Sequence, residues 1–129
     1  MRVSKTAQLR VATPDKPGEL SRVLNTIASA NVNVIAFAGY ARDNQGHIMI
    51  VPDNAGKAAT LLKSAGYDVK DEPVVVVTDS DVLGSGAALA AKIAKAGINL
   101  SGSYATSAGG TYVTVFQTAE IDRLVAALK

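Results

Sequence analysis

The 129-residue chain contains no cysteine, no tryptophan and a single histidine. The absence of cysteine excludes disulfide bonds, a thiolate nucleophile, cysteine-ligated zinc and iron–sulfur clusters. His47 alone does not make a multi-histidine metal site. We therefore expect neither a metal nor a cofactor.

Charge of one sign and long apolar runs are also scarce. Thirteen Lys and Arg residues against eleven Asp and Glu residues give a net charge of +2, and the basic residues are scattered. This distribution argues against a nucleic acid or an anionic membrane as a partner. No apolar run approaches the roughly 20 residues of a membrane span, and the N-terminus lacks the apolar core of a signal peptide. We expect a cytoplasmic protein.

An internal repeat fills most of the sequence. Residues 18–34 (GELSRVLNTIASANVNV) correspond to residues 84–100 (GSGAALAAKIAKAGINL) at a constant offset of 66. Further along, residues 46–51 and 110–115 correspond at an offset of 64, which predicts a connection two residues shorter in the second copy. We therefore expect two copies of one supersecondary unit.

The first copy shows strand and helix patterns in turn. Apolar and polar residues alternate over residues 6–12, which is typical of a half-buried strand, and a turn with two prolines and a glycine leads into an amphipathic helix. Two strand patterns then flank the polar segment 42–46. A helix capped by Asp53 or Asn54 precedes a short strand at residues 67–70. The order β-α-β-β-α-β is that of the ferredoxin-like fold.

The second copy repeats this order but ends early. It begins with four valines at residues 74–77 and lacks the fourth strand, which in this topology lies beside the first. The predicted class is α+β, with two ferredoxin-like βαββαβ units of antiparallel sheet with helices on one face, the second lacking its last strand. We place the domains at residues 1–72 and 73–129. Because the valine run is apolar on both faces and its edge is uncovered, we expect it to pack against another copy or chain.

The turn between the first strand and helix resembles a known family. The segment PDKPGEL at residues 14–20, followed by ANVNV at residues 30–34, is similar to the signature of the ACT domain, a βαββαβ module that binds amino acids and regulates metabolism. The whole chain resembles a tandem pair of ACT domains, although Leu83 stands where the first copy has Pro17. The resemblance implies a regulatory protein rather than an enzyme, with an amino acid as its ligand and a homodimer as its expected assembly.

The same turn has a physical basis as an amino-acid site. Gly18 and Gly84 begin helices, where unpaired N–H groups and the positive end of the dipole favour a carboxylate. Asp15 and Asp81 offer acceptors for an ammonium group. The resemblance implies contacts from the first loop and from an Asn that enters the second strand, across an interface between modules. The expected ligand-binding residues are Thr13, Asp15, Lys16, Pro17, Gly18, Glu19, Leu20 and Asn33 in the first copy, and Asp79, Asp81, Gly84 and Asn99 in the second.

Other motifs are weaker. The DSD segment at residues 79–81 is like the start of a calcium loop, but Leu83 and Ala90 stand where oxygen ligands are required. The GSG segment at residues 84–86 is like a dinucleotide fingerprint, but Leu89 stands at the third glycine position. Modules that bind RNA share the βαββαβ order, yet the first copy has no aromatic platform on its central strands.

Each candidate residue also has a purely structural interpretation. Pro17 and Gly18 are a usual helix start, and Asn33 and Asn99 can bond to their own backbone. Three functions therefore stay open: an amino-acid sensor that acts through a homodimer or a partner enzyme in trans, a ligand-free interaction module, and a small enzyme. The resemblance favours the first. A small regulatory subunit of a biosynthetic enzyme such as acetolactate synthase is a further alternative.

Overall fold

A computed structural model describes all 129 residues of the chain. It contains six strands and four helices. Their bounds are β1 Arg2–Pro14, α1 Glu19–Ser29, β2 Val34–Arg42, β3 Gln45–Pro52, α2 Ala55–Ser64, β4 Asp68–Ser80, α3 Ser85–Lys95, β5 Gly102–Ala108, β6 Thr111–Gln117 and α4 Ile121–Leu128. None of the helices is long and apolar enough to cross a membrane.

The chain divides into two compact units. The first unit is Ala7–Glu72, and the second unit comprises Met1–Thr6 together with Pro73–Lys129. Strands β1 and β4 run through the two boundaries, so each contributes residues to both units. Met1–Thr6 thus belongs with the second unit, whereas the repeat pattern groups these residues with the first.

In the first unit the strands lie in the order β2-β3-β1-β4, and β3 is antiparallel to both β1 and β2. One buried cluster joins alternate residues of β1 and β3 to both helices. It includes Leu9, Val11, Val23, Ile27, Ile48, Ile50, Ala58 and Leu62. Apolar residues that recur every second position in the strands and every third or fourth position in the helices therefore pack into one core, with α1 and α2 on one face of the sheet.

In the second unit β4, β6 and β5 are neighbours in that order, and β1 borders β4. The start of β1 thus occupies the place of the fourth strand that the second repeat lacks. The terminal ammonium of Met1 lies 3.5 Å from Asp79 Oδ1, and Lys5 Nζ lies 2.9 Å from Asp122 Oδ1. The four valines at residues 74–77 are all buried, at 8% exposed or less. The chain's own first residues therefore cover the edge for which the sequence predicted another copy or chain.

The two β-hairpins have the same register. Their central turn residues all have positive φ, and they are Asp43 and Asn44 in the first unit and Gly109 and Gly110 in the second. Gly46 lies opposite Thr13, and Tyr112 lies opposite Asp79. The offset of 66 therefore continues through the hairpin, and the prediction of an offset of 64 is wrong. A two-residue turn sets register more strictly than a chance likeness of strand residues does.

Strand β4 is longer than the sequence indicates. The sequence predicts a short strand at residues 67–70 and a separate strand that begins with the valines at residues 74–77, but β4 runs unbroken over Asp68–Ser80. The ends of α2 follow the capping pattern. Asn54 Oδ1 accepts from the N–H of Lys57 at 3.1 Å, and Gly66 follows the helix with φ 93.

Candidate functional site

A cavity of about 300 Å³ in the first unit is lined by both the β1–α1 loop and the β2–β3 hairpin. The loop side consists of Thr13, Pro14, Asp15, Lys16, Glu19 and Leu20. The hairpin side consists of Phe37, Gly39, Tyr40, Ala41, Gly46, His47 and Ile48. One wall is therefore polar and charged, and the other is largely apolar and aromatic. Nowhere in the chain do three or more His, Asp or Glu side chains converge to hold a metal ion.

Gly46 preserves the space beside Thr13. A Cβ atom at position 46 would overlap Thr13 Oγ1. Thr13 is 5% exposed, and its hydroxyl donates to the carbonyl of Pro14 at 3.1 Å. A larger residue at position 46 would displace the Thr13 side chain or enter the cavity. The cavity therefore depends on glycine at this position.

The carboxylate of Glu19 is buried in the cavity wall. Glu19 is the first residue of α1 and is 5% exposed. Its Oε1 accepts from Arg22 at 3.3 Å and lies 3.7 Å from Lys16 Nζ, and its Oε2 accepts from the Tyr67 hydroxyl at 3.2 Å. Burial raises the pKa of Tyr67, and the charge of Glu19 raises it further, because both disfavour the phenolate. Each carboxylate oxygen thus has a donor or a cation beside it, as burial of the group requires.

The start of α1 combines a left-handed glycine with an acidic residue. Gly18 has φ 89, and its carbonyl accepts from the N–H of Arg22 at 3.0 Å. Glycine adopts this conformation without the Cβ clash that other residues suffer. Glu19 places a carboxylate at the positive end of the helix dipole. A bound anion would meet this carboxylate as well as the N–H groups, so the helix start is not a simple anion site.

The hairpin side of the cavity carries the exposed aromatic ring of Phe37, which is 47% exposed. Strand register places Phe37 opposite Ile50 on the helix-covered face of the sheet, and Tyr40 opposite His47 on the other face. There the Tyr40 ring stacks on His47 with 5.0 Å between centroids, and the Tyr40 hydroxyl accepts a long hydrogen bond from Arg10 at 3.5 Å. Leu20 of α1 adds apolar surface next to the charged loop. Such a wall suits a small molecule with both charged and apolar parts.

Comparison with known proteins identifies the family. The family model described as an ACT domain pair matches residues 4–128. The chain belongs to this family. Among solved structures, a protein from Bacteroides thetaiotaomicron is similar at a TM-score of 0.89 and 21% identity, covering 98% of this chain and 88% of that one. The regulatory subunit of aspartate kinase from Thermus thermophilus, in a ligand-free form, is similar at 0.72 and 15% identity, covering 98% and 93%. A comparison with curated proteins finds no match.

In this ACT domain pair most of the loop residues predicted as ligand contacts lie together. The cavity wall includes Thr13, Asp15, Lys16, Glu19 and Leu20. Pro17 and Gly18 belong to the same loop without lining the cavity. Asn33 does not line it either. The backbone of Asn33 instead pairs with Asp53, since its N–H donates to Asp53 Oδ1 at 3.0 Å and its carbonyl accepts from the N–H of Asp53 at 2.9 Å. Asn99 is exposed, and its carbonyl accepts a hydrogen bond from the Thr118 hydroxyl at 2.7 Å.

The second unit of the ACT domain pair places a side chain where the first unit has the cavity wall. Tyr112, the counterpart of Gly46, is 8% exposed and belongs to the buried cluster of its unit. Burial raises the pKa of Tyr112, and the charge of Asp79 adds to this. Asp79 in turn lies beside the terminal ammonium of Met1 at 3.5 Å and accepts from the N–H of Ser80 at 2.8 Å. Asp79 is therefore engaged by the chain itself.

The loop before α3 is held by its own hydrogen bonds. Ser85, the counterpart of Glu19, donates its hydroxyl to the carbonyl of Val82 at 2.7 Å and accepts from the N–H of Val82 at 3.2 Å. Gly84 has φ 84, so the backbone of this turn is the same as in the first unit. Asp81 is exposed, and its N–H donates to a carbonyl of the β5–β6 turn at 2.8 Å.

Sequence reasoning missed the hairpin side of the cavity. The missed residues are Phe37, Gly39, Tyr40, Ala41, Gly46, His47 and Ile48. Strand patterns do not say which hairpin residues lie near the β1–α1 loop. The two-residue turn was the available signal, because it sets the register that puts Tyr40 opposite His47 and Gly46 opposite Thr13.

Proposed function

We propose that the chain is a non-catalytic regulatory protein that binds a small amino acid, or a related metabolite, in the cavity of its first unit. The observation that carries this proposal is a cavity with one charged and one aromatic wall in a member of the ACT domain pair family. The similarity of its fold to a structure described as the regulatory subunit of aspartate kinase supports a regulatory role. Occupancy of the cavity acts on a partner enzyme of amino-acid metabolism in trans.

The cavity wall offers a complementary group for each part of an amino acid. Asp15 and Glu19 attract an ammonium group, and Lys16 attracts a carboxylate. Leu20 and Phe37 supply apolar surface for a side chain. A volume of about 300 Å³ is at the small end of ligand sites, which favours an amino acid over a nucleotide cofactor.

We expect one amino acid to bind per chain. Tyr112 stands at the position where Gly46 leaves space, and it is part of the core of its unit. Asp79, which the sequence suggests as a ligand contact, is paired with the terminal ammonium of Met1. The second unit then supports assembly and signal transmission rather than a second binding event.

In this proposal, occupancy of the cavity is transmitted through a homodimer in which β2 pairs with β2 of a second copy. β2 is an edge strand, and residues 34–41 contain no charged side chain. Ile35 and Phe37 are 51% and 47% exposed on this strand. Edge strands are usually protected by charges, so this one is suited to pairing. Because Phe37 also lines the cavity, a ligand there favours one arrangement of the interface over another.

Thermal denaturation against the twenty amino acids tests ligand binding. A ligand at about 100 times its Kd adds about 2.7 kcal/mol to the unfolding free energy, which raises Tm by several degrees for a protein of this size. We expect a rise with one or a few related amino acids, and a calorimetric stoichiometry near one per chain. No rise with any amino acid would favour a ligand-free interaction module, and a stoichiometry of two would contradict the single site.

Sedimentation of an edge-strand variant tests the dimer. Ile35→Lys adds a charge to β2 at a residue that does not line the cavity, so we expect monomers at concentrations where the wild type is dimeric. Val82→Lys is the matched control, because Val82 is 63% exposed in the other unit. A wild type that is monomeric at all concentrations would remove the dimer from the proposal.

A further inference from the structure

One ion pair contributes both of its charges to the cavity wall. Lys16 and Glu19 line the cavity, whereas Arg22 and Tyr67, which also contact Glu19, do not. The distance from Lys16 Nζ to Glu19 Oε1 is 3.7 Å, longer than the roughly 2.7–2.9 Å of a close charged hydrogen bond. The Lys16 side chain is 56% exposed and that of Glu19 is 6% exposed. A buried carboxylate therefore faces a loosely held ammonium group.

The carboxylate of Glu19 keeps its orientation without Lys16. Arg22 donates to Oε1 at 3.3 Å, and the Tyr67 hydroxyl donates to Oε2 at 3.2 Å. The contact with Lys16 is long and the Lys16 side chain is more than half exposed, so this contact adds little to stability. An ammonium group from a ligand can therefore replace that of Lys16 at low cost. Lys16 then becomes available to an anionic group of the same ligand.

We propose that Lys16 and Glu19 together recognise the α-carboxylate and α-ammonium of an amino acid, and that Glu19 excludes analogues that lack the ammonium group. The two neighbouring charges of an α-amino acid match the two neighbouring, opposite charges of the pair. This inference rests on the proposed function and specifies its selectivity. A 2-hydroxy acid keeps the carboxylate but brings an uncharged hydroxyl to the buried carboxylate of Glu19, which loses a charged hydrogen bond.

The second unit shows that the turn does not require this pair. At an offset of 66, Val82 stands in place of Lys16 and Ser85 in place of Glu19. The turn before α3 nevertheless has a glycine with φ 84, close to the φ 89 of the glycine before α1. The pair is therefore a feature of the unit with the cavity rather than of the turn itself.

Affinities for matched ligands test the inference. The probes are L-alanine with L-lactate, L-leucine with (S)-2-hydroxyisocaproate, and L-aspartate with L-malate, extended to the 2-hydroxy acid of any other amino acid that raises Tm. For the tightest-binding amino acid we expect a preference of about 10-fold or more over its 2-hydroxy acid by calorimetric titration. In Glu19→Gln we expect this ratio to fall to near one. Glu120→Gln, which breaks a pair with Arg123 at the same i,i+3 spacing in the second unit, keeps the wild-type ratio.

A second variant keeps the test valid if Glu19→Gln folds poorly. Lys16→Met changes an exposed side chain, so folding is unaffected, and it weakens the amino acid and its 2-hydroxy acid equally because both carry the carboxylate. Three results would overturn the inference and leave the proposed function standing. They are equal affinity of the wild type for the amino acid and its 2-hydroxy acid, an affinity ratio that survives in Glu19→Gln, and an affinity ratio that changes in Lys16→Met. Binding of no amino acid overturns both.

Discussion

The two units share one backbone plan and differ in what stands between the hairpin and the loop before the helix. Gly46 of the first unit and Tyr112 of the second unit are at the same register position. The glycine borders a cavity of about 300 Å³, and the tyrosine is part of a buried core. Register therefore determines where a position lies, and the residue there determines whether that place is open space or core.

The largest expected effect comes from removing an aromatic ring in each unit. Tyr112→Ala truncates a buried side chain, so it lowers the unfolding free energy by about 3–5 kcal/mol. Phe37, on the cavity face of β2, is 47% exposed. Phe37→Ala therefore costs less than about 1 kcal/mol, but it removes part of the cavity wall and weakens amino-acid binding. Urea unfolding and calorimetric titration measure both variants, and equal stability losses would break the contrast between the units.

A single methyl group at the open position has the next largest effect. In Gly46→Ala the new Cβ overlaps Thr13 Oγ1, so the variant loses about 2 kcal/mol of unfolding free energy and at least about 10-fold in amino-acid affinity. Gly56→Ala is the control. Gly56 lies in α2, and a Cβ atom there makes only an ordinary contact of 3.9 Å with Asn54 Oδ1. It is expected to stabilise the protein by about 0.5–1 kcal/mol. Unchanged binding in Gly46→Ala would mean that the cavity is not the site.

The glycines before α1 and α3 allow a comparison at equal strain. Gly18 and Gly84 have φ 89 and 84, and a Cβ at either position meets no atom within 4 Å. Each change to Ala therefore costs about 1 kcal/mol from backbone strain alone. Only Gly18→Ala is expected to alter amino-acid binding, because Glu19 follows it. Stability losses that differ markedly between the two variants would show that the turns are not equivalent.

The smallest expected effect is in the dependence of stability on alkaline pH. Burial is the main cause that raises the pKa of Tyr67 and of Tyr112, and Glu19 and Asp79 respectively raise them further. A tyrosine with a higher pKa in the folded state stabilises the fold below its ordinary value of about 10, and loses this contribution as pH rises through the folded value. The unfolding free energy therefore falls above about pH 10. Tyr67→Phe and Tyr112→Phe are each expected to lessen the fall in urea titrations, and an undiminished fall in both would contradict this prediction.

Local patterns were enough to predict the elements of each unit. The alternation in β1, the apolar stripe of α1 and the polar turns predicted a βαββαβ order, which the structure confirms. The role of Met1–Thr6 was not predictable in this way, because these residues belong with a unit that otherwise starts at Pro73. Pairing between segments so far apart leaves no periodic signal. The continuity of β4 was missed as well, because the sequence was divided into two repeats at the point where this strand joins them.

The loop half of the candidate site was predictable, and the hairpin half was not. Asp15, Lys16 and Glu19 are close in sequence, so one motif brings them together. Phe37 and His47 reach the same cavity only through the register of the hairpin. The mistaken offset of 64 also aligned the wrong residues of the two units, which concealed the exchange of a glycine for a tyrosine.

The start of β1 also affects the order in which the chain can fold. Residues Met1–Thr6 are separated from the rest of their unit, which begins at Pro73, by the whole of the first unit. Contacts between segments distant in sequence form slowly, because a long loop must close before they add stability. During synthesis this short, strand-forming segment therefore stays unpaired until β4 has been made, so the second unit completes its sheet later than its earliest residues appear.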